Sequence, residues 1–558
     1  MSLFVAGATD LGGLLREAAL TFKTEVALIE ASRRREVSRR SYLDVWREGA
    51  RLARRLADLG IGPNDRVALW MTNQSAWLLT AYAVFYRGAV LVPVDSKLTA
   101  DEAAAIVAHS GAKLLVAEHG LWRRGSSWPL PCVLSDAPQE EAGLLRWEDL
   151  PLTGTEPEPR TREDLATIVY SSGTGGRAKG CMLTHGAYLA QLEGLLELYP
   201  MVPGDLWFSI LPTNHAIDFL CGFIGPFACG ATVLHQRVLR PETLRATMER
   251  YSPTHMAVVP LLLTALEKSM RETLDGVAGW QRAVLDVAVG VNRRLTESGS
   301  RPSLSRKLLA PLHAPFGGRL QVMFCGGSFT PAHLVEAFDR FGLPVVIGYG
   351  LTEACTVVTV GRTTPVRSDT VGLPVRGVEV RIHEPGADGV GEVCVRGPTL
   401  MKGYLDDPEL TGEVLRDGWL WTGDLGWFDA SGHLHLCGRL KDLIVTAGGK
   451  NVWPEDVEGA FANSGCDDVA VFSENALSAR RSMLDERLIL VVRAEKGVDS
   501  VLGALVACNR LLPDYKRVDR LVRWSGTFPR TATMKLKRTE LLAQLRASGA
   551  LSGAEPMG

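Results

Sequence analysis

The 558-residue chain has no uninterrupted apolar run approaching the ~18–20 residues that cross a bilayer. Its first residues, Met1, Ser2, Leu3 and Phe4, lack the basic stretch that opens a secretory leader. Membrane contact is therefore expected to be peripheral at most. Charge of one sign is also missing: 61 basic residues against 63 acidic ones leave a net charge of −2. With no long-range field to gather a polyanion, no nucleic-acid partner is expected. The ten cysteines form no CxxC pair and the histidines show no metal-ligand spacing. Neither a disulfide framework nor a zinc site is indicated, and a cytoplasmic setting is expected. No GxGxxG opens a helix after the first strand, which argues against a dinucleotide oxidoreductase. Internal repeats and low-complexity tracts are absent. The one dense basic run (Arg33, Arg34, Arg35, Arg39, Arg40) reads as a solvated hairpin, with acidic lipid headgroups or a large cofactor's phosphates as the alternative contact.

The composition, 46% hydrophobic and 22% charged, is that of a globular protein long enough for at least two domains. From Tyr42 to Leu59, apolar residues (Trp46, Ala50, Ala53, Leu56, Ala57) recur at helical spacing, and Gly60 supplies a stop. Short β-rich runs at Arg66 to Trp70, Val90 to Val94 and Leu114 to Ala117 alternate with helical patterns. The helix after Val94 opens on a Thr99/Glu102 capping box. This alternation predicts βαβ units and a parallel sheet. Residues 151–164, rich in Pro, Glu and Thr, read as a loop. Strand-like runs continue at Ala166 to Tyr170, Trp207 to Leu211, Ala231 to Leu234, Met256 to Val259, Leu320 to Phe324 and Val345 to Ile347. The fold class expected is α/β: a large N-terminal domain of parallel-rich sheets flanked by helices (1–440) and a small mobile α+β domain (441–558).

The segment Tyr170-Ser171-Ser172-Gly173-Thr174-Gly175-Gly176-Arg177-Ala178-Lys179-Gly180 follows a strand-like run. Its glycines free backbone N–H groups to curl around phosphate oxygens, its hydroxyls donate further bonds, and Lys179 adds a point charge. It is not a Walker A loop, because Gly180 rather than Ser or Thr follows Lys179. The segment resembles the YTSGTTGxPKG loop of the superfamily of acyl-CoA synthetases, adenylation domains and luciferases, with Ser171, Gly175 and Ala178 replacing Thr, Thr and Pro. Four further elements resemble that superfamily in the expected order. Gly348-Tyr349-Gly350-Leu351-Thr352-Glu353 matches GYGxTE, Trp421-Thr422-Gly423-Asp424 matches YxTGD, and Gly438-Arg439-Leu440-Lys441-Asp442 matches GRxxD. The stretch Pro529 to Arg538 matches PKTxSGKxxR, with Met534 in place of Gly. Each alone is an ordinary turn or charged tail; the set spans roughly residues 20 to 545.

The resemblance implies ATP, Mg²⁺ and coenzyme A as cofactors. It assigns Ser171, Ser172, Gly173, Gly175, Gly176, Gly326, Gly327, Tyr349, Gly350 and Thr352 to nucleotide binding, Glu353 and Thr174 to Mg²⁺, and Asp424 and Arg439 to the ribose or phosphates. Lys535, Glu353, Thr174 and Lys179 take the catalytic roles. Lys441 is the expected pivot, and Gly448 and Gly449, in the run Thr446 to Pro454, the passage for a pantetheine arm. In Leu211-Pro212-Thr213-Asn214-His215, His215 and, further on, Gly350 are expected near the substrate carboxylate.

The apolar stretch Ala216 to Gly230 suits an alkyl tunnel or a buried helix equally. An amphipathic segment around Trp280 to Arg294 resembles the long-chain fatty acyl-CoA synthetases. The implied activity is therefore conversion of a medium- to long-chain fatty acid to acyl-AMP and then to a coenzyme A thioester. The same motifs would serve an acyl-AMP or acyl-carrier-protein ligase, or an aryl- or amino-acid-adenylating enzyme, with Asp218 the one acid available to an amino-acid substrate. Luciferase-like chemistry shares the motifs too. A non-catalytic nucleotide sensor is disfavoured by the presence of both Glu353 and Lys535.

Overall fold

A computed structural model describes residues 3–32, 35–125, 128–138, 145–172, 178–237, 240–276, 279–296, 301–445, 451–462, 464–477, 487–495, 497–531 and 535–557. Two compact units are present. The first comprises 1–380 and 395–420, the second 381–394 and 421–558. The boundary expected near Lys441 falls inside the second unit, in a 3₁₀ turn Leu440–Asp442.

The first unit holds two large sheets. One has seven strands in the order Leu145–Arg146, Cys132–Ser135, Leu114–Glu118, Arg66–Trp70, Val90–Val94, Leu165–Ser172, Ala178–Thr184. All neighbours are parallel except the final pair, an antiparallel hairpin. The other has nine strands, and its centre (Val345–Tyr349, Val322–Cys325, His255–Val258, Leu206–Ser209, Thr232–Gln236, Val26–Ala31) is parallel throughout. The helix Ser75–Tyr86 (SAWLLTAYAVFY) has no polar face, and it contacts strands of both sheets with nearly all its residues buried. A helix apolar on all sides belongs in a core.

Local signals set the element ends. The helix Tyr42–Asp58 begins at a capping box between Ser41 and Asp44. The helix Ala100–Ser110 begins at the expected Thr99/Glu102 box and stops at Gly111, whose φ of 60° is left-handed. The apolar stretch after His215 is helical from Ala216 to Ala228, with a π-helical turn at Leu220–Ile224. Its Phe219, Leu220, Phe223, Ile224 and Phe227 are at most 1% exposed, so of the two readings the stretch takes that of a buried helix.

In the second unit, strands Asp468–Ser473, Leu488–Arg493, Arg520–Arg523 and Glu555–Pro556 form one mixed sheet. The helix Arg538–Ala547 is pinned by Arg538, whose guanidinium donates to both carboxylate oxygens of Glu458 at 2.7 Å and to the Val471 carbonyl at 3.1 Å. Arg538 is thus a half-buried anchor rather than part of a solvated tail. No helix among the described residues is long and apolar enough to cross a membrane.

Candidate active site

Carboxyl ends of parallel strands are where open α/β sheets bind ligands, because the loops that follow diverge there. In the nine-stranded sheet, three of the sequence elements occupy such ends. Thr213 and His215 follow Leu206–Ser209, Gly326 and Gly327 follow Val322–Cys325, and Gly350 to Glu353 follow Val345–Tyr349.

Two glycines here answer to close backbone approach. A Cβ on Gly350 would stand 1.5 Å from the Thr356 carbonyl oxygen, and one on Gly326 would stand 2.9 Å from that of Gly348. Neither site accepts a side chain without moving main chain. The turn after Glu353 is strained: Cys355 and the β-branched Thr356 have φ of 52° and 101°.

The glycine-rich motif sits on the hairpin that closes the seven-stranded sheet. Ser171 pairs with Lys179 and Ser172 with Ala178. Gly173, Thr174, Gly175, Gly176 and Arg177 lie outside the described residues, and the Ser171 and Ser172 side chains likewise.

The hairpin is tied to Glu353 by a segment that sequence reasoning did not single out. Residues 402–405 run alongside the strand Ala178–Thr184: Lys402 N donates to Met182 O (2.9 Å), Met182 N to Gly403 O (3.0 Å) and Leu405 N to Gly180 O (2.8 Å). Met401 N donates to the Glu353 carbonyl at 2.9 Å. Tyr404 therefore stands between the two charged groups. Lys179 Nζ lies 5.3 Å from its ring centroid, and its hydroxyl donates to Glu353 Oε1 at 2.9 Å. Burial and the Glu353 charge both keep the phenol protonated, pushing it well above the usual tyrosine range.

The substrate-side loop is clamped from two directions. Asn73 donates to the Leu211 carbonyl (2.6 Å) and accepts from Thr213 N (2.9 Å). The fully buried Asp218 accepts from Ser209 Oγ (2.7 Å) and Thr213 Oγ1 (3.0 Å). Burial pushes the Asp218 carboxyl up to about 7 against these hydrogen bonds. Its donors are hydroxyls of the loop and strand, so it braces the loop rather than facing a substrate ammonium. His215 Nε2 lies 3.9 Å from Asp95 Oδ2. Burial holds its imidazole below the ordinary range; Asp95 opposes this and Lys97 adds to it.

In the second unit, the antiparallel pairing of Trp419–Phe428 with Leu434–Arg439 sets Asp424 opposite Arg439, and Arg439 Nε reaches Asp424 Oδ1 at 2.9 Å. Gly423, with φ of 69°, makes the bend that presents Asp424; its N–H donates to Glu392 at 3.0 Å, while Thr422 Oγ1 donates to the Val393 carbonyl at 2.7 Å. Lys535 is exposed, on a loop held by Thr531: Lys535 N donates to Thr531 Oγ1 (3.1 Å) and accepts at its own carbonyl from Thr531 N (2.8 Å). Desolvation by neighbouring protein atoms and the Arg439 guanidinium lower the Lys535 ammonium from the usual lysine value, while Asp424, Glu455 and Asp442 pull it back up. Ribose, phosphate and lysine candidates of this unit therefore share one charged neighbourhood. Lys441 is exposed; Gly448, Gly449 and Met534 lie outside the described residues.

Among the described residues no cluster of three or more acidic, histidine or cysteine side chains could hold a metal on its own. One carboxylate oriented by a tyrosine suits Mg²⁺, which takes most of its octahedral shell from phosphates and water rather than from a protein cage.

A family model described as AMP-binding enzyme matches residues 15–405, and the chain belongs to that family. It is similar to a Rhodococcus jostii ligase that couples coenzyme A to a 7a-methyl-1,5-dioxo-octahydro-indenyl propanoate, 31% identical over 523 residues that cover 87% of this chain and 90% of the relative. A feruloyl-CoA synthase from an Amycolatopsis species is 30% identical over 431 residues, covering 75% and 77%. Among solved structures, the fold matches an o-succinylbenzoate coenzyme A synthetase from Bacillus subtilis in complex with ATP and magnesium ion, with a TM-score of 0.74, 21% identity and 95% and 98% coverage. Both named relatives are coenzyme A ligases, and the family model assigns this chain to the AMP-binding enzymes.

Proposed function

We propose that this ligase activates a hydrophobic monocarboxylic acid, a medium- to long-chain fatty acid in the first instance, and transfers the acyl group to coenzyme A. The observation that carries the reading is the Lys179–Tyr404–Glu353 arrangement, which joins a cationic hairpin to an oriented carboxylate beside glycine-narrowed strand ends. Lys179 and the hairpin N–H groups bind and orient the β- and γ-phosphates, and Glu353, steered by Tyr404, would hold Mg²⁺ together with Thr174. Mg²⁺, when bound, screens the charge on the leaving pyrophosphate. Asp424 accepts from the ribose hydroxyls. Lys535 has the role of offsetting the mutual repulsion of the acid's carboxylate and the α-phosphate.

A carboxylate oxygen forms the new bond to the α-phosphorus and the bond to pyrophosphate breaks. The thiol, losing its proton, then bonds to the acyl carbon and AMP leaves with the electron pair. For that second step Lys441 is the proposed pivot, Lys535 is no longer required, and Gly448 and Gly449 are the proposed passage for the pantetheine arm.

A ring or aryl acid is the second reading, favoured by the acids in the names of the relatives above. Pyrophosphate release measured over fatty, aryl, ring-bearing and amino acids, with and without coenzyme A, separates the two. Greatest kcat/KM with C8–C18 acids supports the first; preference for aryl or ring acids replaces it with the second. No release with any acid would leave a nucleotide sensor.

A further inference from the structure

A surface helix ordinarily turns its apolar stripe toward the core. The helix Gly279–Thr296 of the first unit has a second apolar stripe facing away from it. Its inner side is fixed, since Leu285 and Asn292 are buried, Leu285 clusters with Leu274, Leu309 and Leu312, and Asn292 Nδ2 donates to the Arg340 carbonyl at 3.4 Å. On the outer side Trp280, Val284, Val287, Val291 and Leu295 recur at steps of four, three, four and four, which aligns them on one face. They are 71%, 62%, 68%, 41% and 43% exposed. At 1.5 Å per residue the stripe runs roughly 22 Å, and a continuous apolar stripe of that length marks an interaction surface.

Charge selects the occupant. From Gly279 to Lys307 the basic residues are Arg282, Arg293, Arg294, Arg301, Arg306 and Lys307, against Asp286 and Glu297 alone, in a chain whose net charge is −2. Arg294 borders the stripe, one heptad on from Val287, whereas Arg293 lies on the far side of the helix. A second copy would add another basic segment to this one, whereas an anionic lipid surface satisfies both the stripe and the Arg294 at its edge, with Arg301, Arg306 and Lys307 following in the chain. We propose that the helix Gly279–Thr296 is an interfacial helix that seats the protein on an anionic bilayer, with Trp280 and the valine row in the headgroup–acyl boundary. The assignment stands independently of which acid the ligase activates.

Co-sedimentation of the full chain with vesicles of equal phosphatidylglycerol and phosphatidylcholine, and with phosphatidylcholine alone, tests it. Binding is expected to the anionic vesicles and to weaken in high salt. The doubly substituted Val284→Ser, Val287→Ser chain should bind about tenfold more weakly, and Arg294→Gln with Arg301→Gln should weaken the preference for phosphatidylglycerol. Quenching of tryptophan emission by brominated lipid should diminish in Trp280→Phe. All positions are solvent-facing, so thermal midpoints and pyrophosphate release should be unchanged. A chain that stays in the supernatant with anionic vesicles, or binding indifferent to both double variants, overturns the proposal. A concentration-dependent dimer abolished by the serine pair, without vesicle binding, would assign the face to a second copy instead.

Discussion

Tyr404 touches both charged side chains of the phosphate side of the large unit, with Lys179 over its ring and its hydroxyl on Glu353. A hydrogen bond to a charged group contributes about 1.5–3 kcal/mol, and here it fixes which way the Glu353 carboxylate, the proposed Mg²⁺ ligand, points. Tyr404→Phe keeps the packing of a residue only 6% exposed and removes that bond alone. We expect it to lower kcat/KM for ATP about 10- to 100-fold and to raise the Mg²⁺ concentration needed for half-maximal rate. A fall in thermal midpoint with unchanged Mg²⁺ dependence would make Tyr404 structural instead. Gly350, Glu353 and Lys179 stood out in the sequence through their resemblance to the superfamily's motifs, and the structure adds the close backbone approach at Gly350. Tyr404 was not, because its partner Glu353 lies 51 positions away and a lone tyrosine after glycine carries no spacing signal.

At the scale of the element, the stretch after His215 shows where composition stops being informative. Its all-apolar pattern fits a tunnel wall or a core helix, and only the packing of Phe219, Phe223 and Phe227 distinguishes them. Asp218, the single acid in that helix, lies against Gly222, where a Cβ would come within 2.6 Å of its Oδ1. Its carboxyl, raised to about 7 from 3.8, keeps in the folded state a proton that the unfolded chain releases. Its contribution to stability therefore falls as pH rises from about 4 to 7. The imidazoles of His185, His235 and His255 act the other way: burial lowers each to about 4 from 6.5, so their contribution is lost as pH falls from 6.5 toward 4. Thermal midpoints of Asp218→Asn and the unsubstituted chain across pH 4–8 separate the two. The variant should gain at pH 8, by at most about 4 kcal/mol, and retain the acid limb. An unchanged difference at every pH would show that Asp218 is ionised throughout.

The alternation of strands and helices made the α/β class readable, and the short βαβ spacing made the parallel sheets readable. What pattern could not supply was the assignment of residues 381–394 to the second unit, since Arg381 to Cys394 read as strand and turn like the residues before and after them. The chain thus passes between its two units more than once, with the phosphate-side residues Lys179, Tyr404 and Glu353 in the first and Asp424, Arg439 and Lys535 in the second. On the proposed mechanism the two half-reactions require different side chains. Lys535→Ala assayed in each half-reaction decides whether Lys535 serves adenylate formation alone. Pyrophosphate release from ATP and acid is expected to fall by at least about a thousandfold, while thioester formation from preformed acyl-AMP and coenzyme A stays within a few-fold of the unsubstituted rate. Equal loss of both would contradict it.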